Sequence, residues 1–322
     1  MKNKNLMKKS KAITVLVWCI FVVLIVYSIS LFIPIIWGII TSLKSNLDFS
    51  TPGNNVLGFP NLDEGIKWNS REQFFRLENY KLILESFSFH VSYSYYFGNT
   101  LVWHEADPTI ITMTINTILY AGIGAFLRTF TPALMAYACA KYRFKFSDVI
   151  YTVVIVVMSI PVIGTDAAKI DLLCNLGLFD TFIGMWLQYI DFTGMYFLVF
   201  YAFFRGLSNS FSEAAEVDGA SQMSIMLRII LPMASKIITT IMLIMFVSLW
   251  NNYQTPILYL PTSPTLAYGV FYLSNNLGGN RELGHIPVRI ASCIMLMLPI
   301  LIVFLIFRDK LMGNVSMGGI KE

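Results

Sequence analysis

The sequence predicts an all-α polytopic membrane protein with about six transmembrane helices and a small β-hairpin outside the membrane. Its 322 residues are 56% hydrophobic and only 13% charged, whereas soluble domains carry about 25% charged residues. Apolar stretches of about 20 residues, the length that crosses a bilayer, recur along the chain. These two observations argue against a water-soluble fold, and the net charge of +4 is too small to predict a nucleic-acid-binding surface.

The first predicted span follows an N-terminal tail, residues 1–11, that is rich in lysine. The apolar run at 12–40 is too long for the hydrophobic part of a signal peptide, and no small-residue cleavage site follows it, so we expect an uncleaved helix. The other apolar stretches of spanning length are 110–137, 148–165, 181–204, 234–258 and 288–307. Together the spans predict a transmembrane domain over 12–308, followed by a C-terminal tail at 309–322.

Orientation follows from lysine and arginine, because short loops rich in these residues stay on the cytoplasmic side. With the N-terminus inside, the tails and inner loops hold clusters of lysine and arginine, while the long outer loop at 45–109 holds many of the acidic residues. Both termini are therefore predicted to be cytoplasmic. The loop at 206–233 is predicted to face the cytoplasm as well.

A β-hairpin is predicted within the outer loop. Residues 86–97 alternate apolar or aromatic side chains with small polar ones, which is the period of a strand. Gly98 and Asn99 supply a two-residue turn before a second strand at 100–104. This hairpin would lie outside the membrane.

The cytoplasmic loop at 206–233 predicts a short amphipathic helix, a glycine bend and a second short helix. Ser210 and Glu213 have the spacing of a capping box, and Gly219 can end the first helix with a positive φ. Ser221 can cap the second helix, which Pro232 would close. These caps alone are equally consistent with an ordinary connector between two spans.

The spacing of residues in this loop is more specific than its caps. The loop reads E-A-A, three residues, G, nine residues and I-x-L-P, and the fixed positions are Glu213, Ala214, Ala215, Gly219, Ile229, Leu231 and Pro232. In this pattern the chain resembles the inner-membrane permease subunits of ABC importers, in particular the MalG-like permeases of the carbohydrate branch. Other landmarks that resemble this family are Ser42-Leu43-Lys44, Leu77-Glu78-Asn79-Tyr80, Asn116-Thr117, Ala136-Tyr137-Ala138, Tyr142-Arg143-Phe144, Trp250-Asn251-Asn252 and the glycine-rich tail at 313–321. The hairpin insert at 86–109 and the final Glu322 depart from it.

The resemblance implies a type I ABC importer permease fold in a prokaryotic cytoplasmic (inner) membrane. It implies a subunit that forms half of the translocation path for a sugar or oligosaccharide delivered by an extracytoplasmic binding protein. An importer of amino acids, peptides or polyamines is the alternative, and an ATP-independent secondary transporter is a remote one. The implied partners are a second permease subunit in a heterodimer, two ABC ATPase subunits, the binding protein and membrane lipid. We expect the hairpin insert to contact the binding protein or the second permease.

The chain contains no G-x-x-x-x-G-K-[ST] P-loop. We therefore expect a non-catalytic subunit without a cofactor of its own, with ATP and Mg bound by the ATPase subunits. No metal site is predicted, because the four cysteines are scattered singly and no histidine stands at metal-ligand spacing. The coupling residues that the resemblance implies are Glu213, Ala214, Ala215, Glu216, Asp218, Gly219, Ile229, Leu231 and Pro232. Among them, Glu213 and Glu216 would offer charge-assisted contacts to an ATPase.

Candidates for the solute path are polar or aromatic residues of the predicted spans, namely Asn116, Gln188, Asp191, Trp250, Asn251, Asn252 and Tyr253. Asp191 follows Gln188 by one helical turn, and ionisable residues within spans usually face a cavity. The cluster at 250–253 suits stacking on a sugar, yet an interfacial anchor or helix packing would use the same residue types. Arg128 is predicted too deep for an ion pair with Asp191, and snorkelling towards the cytoplasm is its other interpretation.

Overall fold

The computed structural model describes residues 11–50, 56–58, 77–142, 144, 146–160, 164–275 and 282–312. Within this part of the chain the fold is helical with one two-stranded sheet, so the predicted all-α class with a small hairpin is confirmed. The chain divides into two compact units. One comprises the described parts of Met1–Ile83 and Asn280–Met295, the other those of Leu84–Gly279 and Leu296–Glu322. The tail predicted at 1–11, apart from Lys11, and the glycine-rich tail at 313–321 lie outside the described residues.

The first unit contains a long apolar helix, α1, at Lys11–Ser42. A short helix, α2, follows at Asn46–Ser50, and the unit also holds the beginnings of α3, Glu78–Ser86, and of α15, Ile286–Met312. None of the most apolar window of α1 is buried. This helix therefore needs an apolar environment that the unit itself does not provide.

Two of the family landmarks meet at the end of α1. Asn79 donates hydrogen bonds from Nδ2 to the carbonyl oxygens of Ser42 (2.7 Å) and Lys44 (2.9 Å). The hydroxyl groups of Ser42 and Tyr80 also bond, at 2.7 Å. The side chain at position 79 thus satisfies carbonyl groups that the end of a helix leaves unpaired. The landmarks at 42–44 and 77–80 therefore form one hydrogen-bonded contact.

The second unit contains most of the helices. They are α4 (Ile110–Lys141), α5 (Ser147–Ser159), α6 (Thr165–Asn175), α7 (Phe182–Gln188), α8 (Met195–Gly206), α9 (Ser210–Val217), α10 (Gln222–Ile225), α11 (Leu231–Met233), α12 (Ser235–Trp250), α13 (Gln254–Tyr259) and α14 (Leu266–Ser274), with a π-helical turn at Met226–Ile230. The central helix is α4, which packs against α8 and α12. Its buried Ala121, Gly124 and Ala125 permit this close approach, since a Cβ atom on Gly124 would lie only 2.8 Å from the Leu249 side chain of α12.

Three of the described helices are long and apolar enough to cross a membrane, namely Ile13–Ser42, Ile110–Lys141 and Ile286–Phe307. A fourth crossing results if Gln222–Met233 and Ser235–Trp250, which are bent by 72° at their junction, are counted as one span. The first, second and last predicted spans therefore coincide with continuous helices. The total of about six crossings stays a prediction.

Two of the middle spans contain shorter helices than the sequence predicts. In the stretch 148–165 the helix ends at Ser159. The stretch 234–258 is divided between α12 and α13, and Asn252 Oδ1 accepts a hydrogen bond from the Thr255 amide in the first turn of α13. Asparagine favours such local bonds over the interior of a helix, so this polar residue marks the break.

The span predicted at 181–204 contains two helices with a break between them. The chain leaves the helix after Gln188 and enters the next one at Met195. Between them, Asp191 Oδ1 accepts hydrogen bonds from the amide (2.8 Å) and hydroxyl (2.7 Å) of Thr193. This local turn competes with the helix, whereas the apolar composition of the stretch predicts only its length.

The predicted hairpin is confirmed. Strands β1, Val91–Phe97, and β2, Thr100–Ala106, pair in antiparallel register along their whole length. Gly98 stands at the first position of the two-residue turn with φ +58, a conformation that glycine adopts without strain. The second strand extends two residues beyond the predicted end.

Candidate functional site

The loop that carries the E-A-A pattern begins with α9. Asn209 is the residue that precedes this helix, and its carbonyl oxygen accepts the amides of Ser212 and Glu213. No side-chain cap bond forms there, so the capping box predicted from Ser210 and Glu213 is wrong. Ser210 lies within the first turn, and its hydroxyl group bonds to that of Ser208 at 2.7 Å.

The end of α9 is the predicted glycine bend. Gly219 has φ +79 and donates its amide to the carbonyl of Glu216, while Ala220 donates to that of Ala215. This pair of bonds is the Schellman motif, which favours glycine because the left-handed region strains other residues. A Cβ atom on Gly219 would meet nothing within 4 Å. The backbone conformation, not lack of space, therefore requires glycine here.

The first half of the pattern is exposed except at one position. Ala215 is buried, whereas the side exposed to solvent is formed by Glu213, Ala214, Glu216, Val217, Asp218 and Gly219. The fixed-position pattern missed Val217, which is 87% exposed, the highest fraction among the large hydrophobic residues that the structure describes. Val217 therefore adds an exposed apolar side chain to the surface beside the bend.

The second half of the pattern is packed into the protein. Ser221 Oγ accepts the amide of Ser224, which confirms the predicted cap of the second helix. Ile229 and Leu231 pack against the hydrophobic core, while Pro232 stays exposed. Ile229 and Leu231 therefore anchor the loop, whereas most of the exposed positions of the pattern lie on α9 and its bend.

The break between α7 and α8 lies beside the middle of α4. Tyr189, the first residue of the break, donates a hydrogen bond to the hydroxyl of Tyr120 (2.6 Å) and packs against Gly124. Its ring also lies 5.0 Å from the Arg128 guanidinium. Along α4 these contacts fall about 15 to 27 Å from its first residue, on a helix about 48 Å long. The break is thus at mid-height of the longest helix in this unit.

Asp191 and Arg128 are both exposed in the single chain near this break. Arg128 stacks on Tyr189, only two residues from Asp191, although no ion pair joins the two charged groups in the described part of the chain. The sequence placed Arg128 and Asp191 at different depths by counting along two continuous helices. The second of these helices is broken between Gln188 and Met195, so the count does not apply to Asp191. The contact of Arg128 with Tyr189 is the feature that the sequence could not supply.

The other solute-path candidates make contacts that support local structure. Gln188 bonds back to the Gly184 carbonyl of its own helix, and Asn116 donates to the Pro264 carbonyl at 3.1 Å, fixing the loop before α14. These two side chains are only partly buried. Neither lies within the break that contains Asp191.

The cluster predicted at 250–253 is dispersed among separate roles. Trp250 is buried and donates from Nε1 to the Leu296 carbonyl, and the Tyr253 ring stacks on Phe271 with centroids 4.5 Å apart. Asn251 bonds back to the carbonyl of Val247, while Asn252 donates to Thr255 Oγ1. Helix packing and capping, one of the alternatives raised by the sequence, account for these contacts.

A buried carboxylate, not singled out from the sequence, connects the hairpin to the rest of the second unit. Asp180 lies in the left-handed region at φ 57 and is 9% exposed. It accepts the amide and hydroxyl hydrogens of Thr262, and His104 Nδ1 of β2 lies 3.8 Å from its Oδ2. Tyr93 and Tyr95 of β1 pack their rings on the adjacent Phe179. Asp180 thus joins the hairpin to the loop before α14.

We expect the effect of Asp180→Asn on thermal stability to be more favourable at pH 8 than at pH 4. Burial raises the pKa of the Asp180 carboxyl, against the opposing effect of the bonds from Thr262 and the charge of His104. A raised folded-state pKa means that ionisation destabilises the fold as pH rises from the unfolded-state pKa through the folded one. Asparagine keeps an acceptor for Thr262 and cannot ionise. Melting curves at both pH values check this, and an equal effect at both would contradict it.

Helices long and apolar enough to cross a membrane define a helical membrane protein, and comparison with known proteins gives its family. Residues 129–313 match the family model described as "Binding-protein-dependent transport system inner membrane component". This match covers more than half of the chain. The chain belongs to that family and is a multi-pass inner-membrane permease. The resemblance to ABC importer permeases is confirmed.

Several similar proteins are sugar permeases. The diacetylchitobiose uptake system permease NgcG of Streptomyces coelicolor is 25% identical over 92% of this chain and 86% of its own length. The arabinooligosaccharide transport permease AraQ of Bacillus subtilis is 25% identical over 67% and 82%, respectively. Among solved structures, a bacterial ABC transporter involved in alginate import contains a chain with a TM-score of 0.73 and 21% identity, covering 93% of this chain and 98% of that one. The structural likeness shows a shared fold.

Proposed function

We propose that this permease forms half of the translocation path for a sugar or oligosaccharide and is coupled to an ATPase through Glu213–Gly219. The observation that carries the coupling is the exposed α9 with its rigid bend at Gly219. The named relatives favour a sugar over the alternatives of an amino acid, a peptide or a polyamine. Membership of a binding-protein-dependent family implies an ATPase and a solute-binding protein as partners.

The complex proposed around this chain has a second permease, two ABC ATPase subunits and an extracytoplasmic binding protein. The second permease would complete a heterodimer in contact with membrane lipid. ATP and Mg would be bound by the ATPase subunits, so this chain supplies neither a nucleotide site nor a catalytic residue. Its termini and the loop at 206–233 would face the cytoplasm, where the lysine and arginine clusters favour them.

The interrupted segment between α7 and α8 supports a translocation path at mid-membrane. Non-helical backbone at membrane depth is stable only where protein covers it or water fills a cavity. Transporters commonly bind solutes at such interruptions. Asp191 and Arg128 are exposed at this level in the single chain, and charged groups within a membrane require a polar partner or water. We therefore propose that these two residues face the path.

Uptake tests the proposed solute class. Cells that express the chain together with its proposed ATPase, second permease and binding protein should accumulate labelled diacetylchitobiose or arabinotriose, and deletion of this chain should abolish the accumulation. A dipeptide and spermidine serve as non-sugar probes. Accumulation of either of these, with no uptake of the sugars, would contradict the sugar assignment while leaving the permease assignment intact.

Asp191→Asn should lower uptake at least tenfold if its charge faces the path. Hydrogen bonds to a charged group contribute about 1.5–3 kcal/mol, and about 1.4 kcal/mol corresponds to a factor of ten. Asparagine keeps an acceptor for Thr193, so the turn is preserved. The matched control is Asp171→Asn, an exposed aspartate on α6. Equal uptake by both variants would remove Asp191 from the path.

A further inference from the structure

Residues at the end of α4 are hydrogen-bonded to both ends of the coupling helix α9. Lys141 is the last residue of α4. Its Nζ donates hydrogen bonds to the Leu207 carbonyl at 2.6 Å and to Asn209 Oδ1 at 2.9 Å. Leu207 directly follows α8, and Asn209 precedes α9. One lysine therefore fixes the short link through which the chain enters the coupling helix.

The other end of α9 is attached through a chain of two hydrogen bonds. Tyr142 follows Lys141 and donates from its hydroxyl to Gln222 Oε1 at 3.1 Å. Gln222 Nε2 in turn donates to Glu216 Oε1 at 2.5 Å. The Gln222 amide is thus satisfied at its oxygen and at one N–H, and it bridges α10 across the Gly219 bend to α9. Charge-assisted bonds of this kind are among the stronger ones.

This attachment changes the role expected for Glu216. The resemblance implies that both Glu213 and Glu216 contact an ATPase, but Glu216 is engaged by Gln222 within the chain. The Glu213 side chain is exposed and has no hydrogen-bond or ion-pair partner among the described residues. The surface left for a partner consists of Glu213, Val217 and the bend, while Glu216 holds the coupling helix in place.

We propose that Lys141 and Tyr142 are positioning residues that fix the orientation of α9 and transmit its displacement to α4. The proposal rests on the proposed coupling function. These bonds add polar attachments at both ends of α9 to the packing of its buried Ala215. With them, a push on α9 acts on the end of the same helix whose middle, through Tyr120 and Arg128, contacts the broken segment. The coupling loop, at the end of α4, and the path, beside its middle, would then be joined by one rigid helix.

Tyr142→Phe, Gln222→Leu and the double variant test the two-bond chain. Each single change should reduce the binding-protein-stimulated ATPase rate of the complex in lipid nanodiscs about two- to tenfold, the value of one hydrogen bond. Because both residues belong to one chain of bonds, the double variant should be no worse than Gln222→Leu alone. Amide hydrogen exchange at 210–222 should rise in all three. Copurification of the ATPase should persist, because the contact surface is unchanged.

Tyr151→Phe is the matched control, since Tyr151 packs on Tyr201 at 4.7 Å and its hydroxyl has no hydrogen-bond partner among the described residues. The proposal is overturned if Tyr142→Phe behaves like this control, or if the two single effects multiply in the double variant.

Loss of stimulation in Lys141→Met with recovery in Lys141→Arg supports the lysine attachment, and an unaffected Lys141→Met overturns it. A wild-type chain that does not copurify with an ATPase would instead contradict the proposed function.

Discussion

Gly219→Val is expected to abolish uptake and to prevent copurification of the ATPase, while the chain still inserts in the membrane. Gly219 has φ +79, and a β-branched residue in the left-handed region costs about 1–3 kcal/mol. The chain can avoid that strain by unwinding the Schellman bend, which displaces Val217 and Glu213 together. Since nothing lies within 4 Å of the new Cβ position, the effect would come from the backbone alone. Uptake should fall at least tenfold.

The matched control is Gly206→Ala at the end of α8. A Cβ atom there also meets nothing within 4 Å, and the residue does not have a positive φ. Gly206→Ala should therefore retain uptake and the copurifying ATPase. Normal copurification of the Gly219→Val chain would overturn the assignment of the bend to ATPase docking.

Gly184→Ala is expected to destabilise the second unit strongly. A Cβ atom on Gly184 would lie 2.2 Å from the carbonyl oxygen of Leu178, and neither group can move without shifting the backbone. Thr181 fixes the same turn, because its Oγ1 accepts the Gly184 amide and donates to the Leu178 carbonyl. Overpacking of this kind costs about 1–3 kcal/mol or more, which corresponds to a melting temperature lower by about 3–10 °C.

The control for that substitution is Gly122→Ala on α4, where an added Cβ atom meets nothing within 4 Å. Alanine in an exposed helix favours the helix by up to about 1 kcal/mol, so this variant should melt at the wild-type temperature or slightly above it. Fluorescence-detected melting of both proteins in detergent gives the comparison. Equal melting temperatures would show that the turn at Leu178 relaxes more easily than its hydrogen bonds suggest.

The hairpin and the glycine bend were predictable because each depends on neighbouring residues. Alternation through 86–97 and a glycine at 98 predict a strand and a tight turn without any tertiary contact, although the strand itself begins only at Val91. The bend at Gly219 is likewise local, since its two bonds reach back only three and five residues. The start of α9 was missed because three polar residues in sequence, 208–210, offer several candidate caps.

The interruption between α7 and α8 was not predictable from composition. The stretch 181–204 is apolar as a whole despite Asp191 and Thr193, and an apolar stretch predicts how far a segment can reach but not whether it stays helical. The contacts that make the break stable come from α4, 69 residues earlier at Tyr120. The attachments of Lys141 and Tyr142 span 66 and 80 residues, respectively. Side chains so distant in sequence can be paired only by the folded structure.

Because α1 is exposed within the chain, it should tolerate many substitutions of one apolar residue by another. The most apolar window of α1 buries nothing within the chain, so only its hydrophobicity and length are constrained there. Exchanges among isoleucine, valine, leucine and phenylalanine should be nearly neutral in this helix. The opposite holds for α4, where Ala121, Gly124 and Ala125 are set by shape. Deep mutational scanning should therefore show that α1 tolerates most apolar substitutions and that α4 does not. Hydropathy alone would suggest the reverse, because α1 is the more uniformly apolar of the two helices.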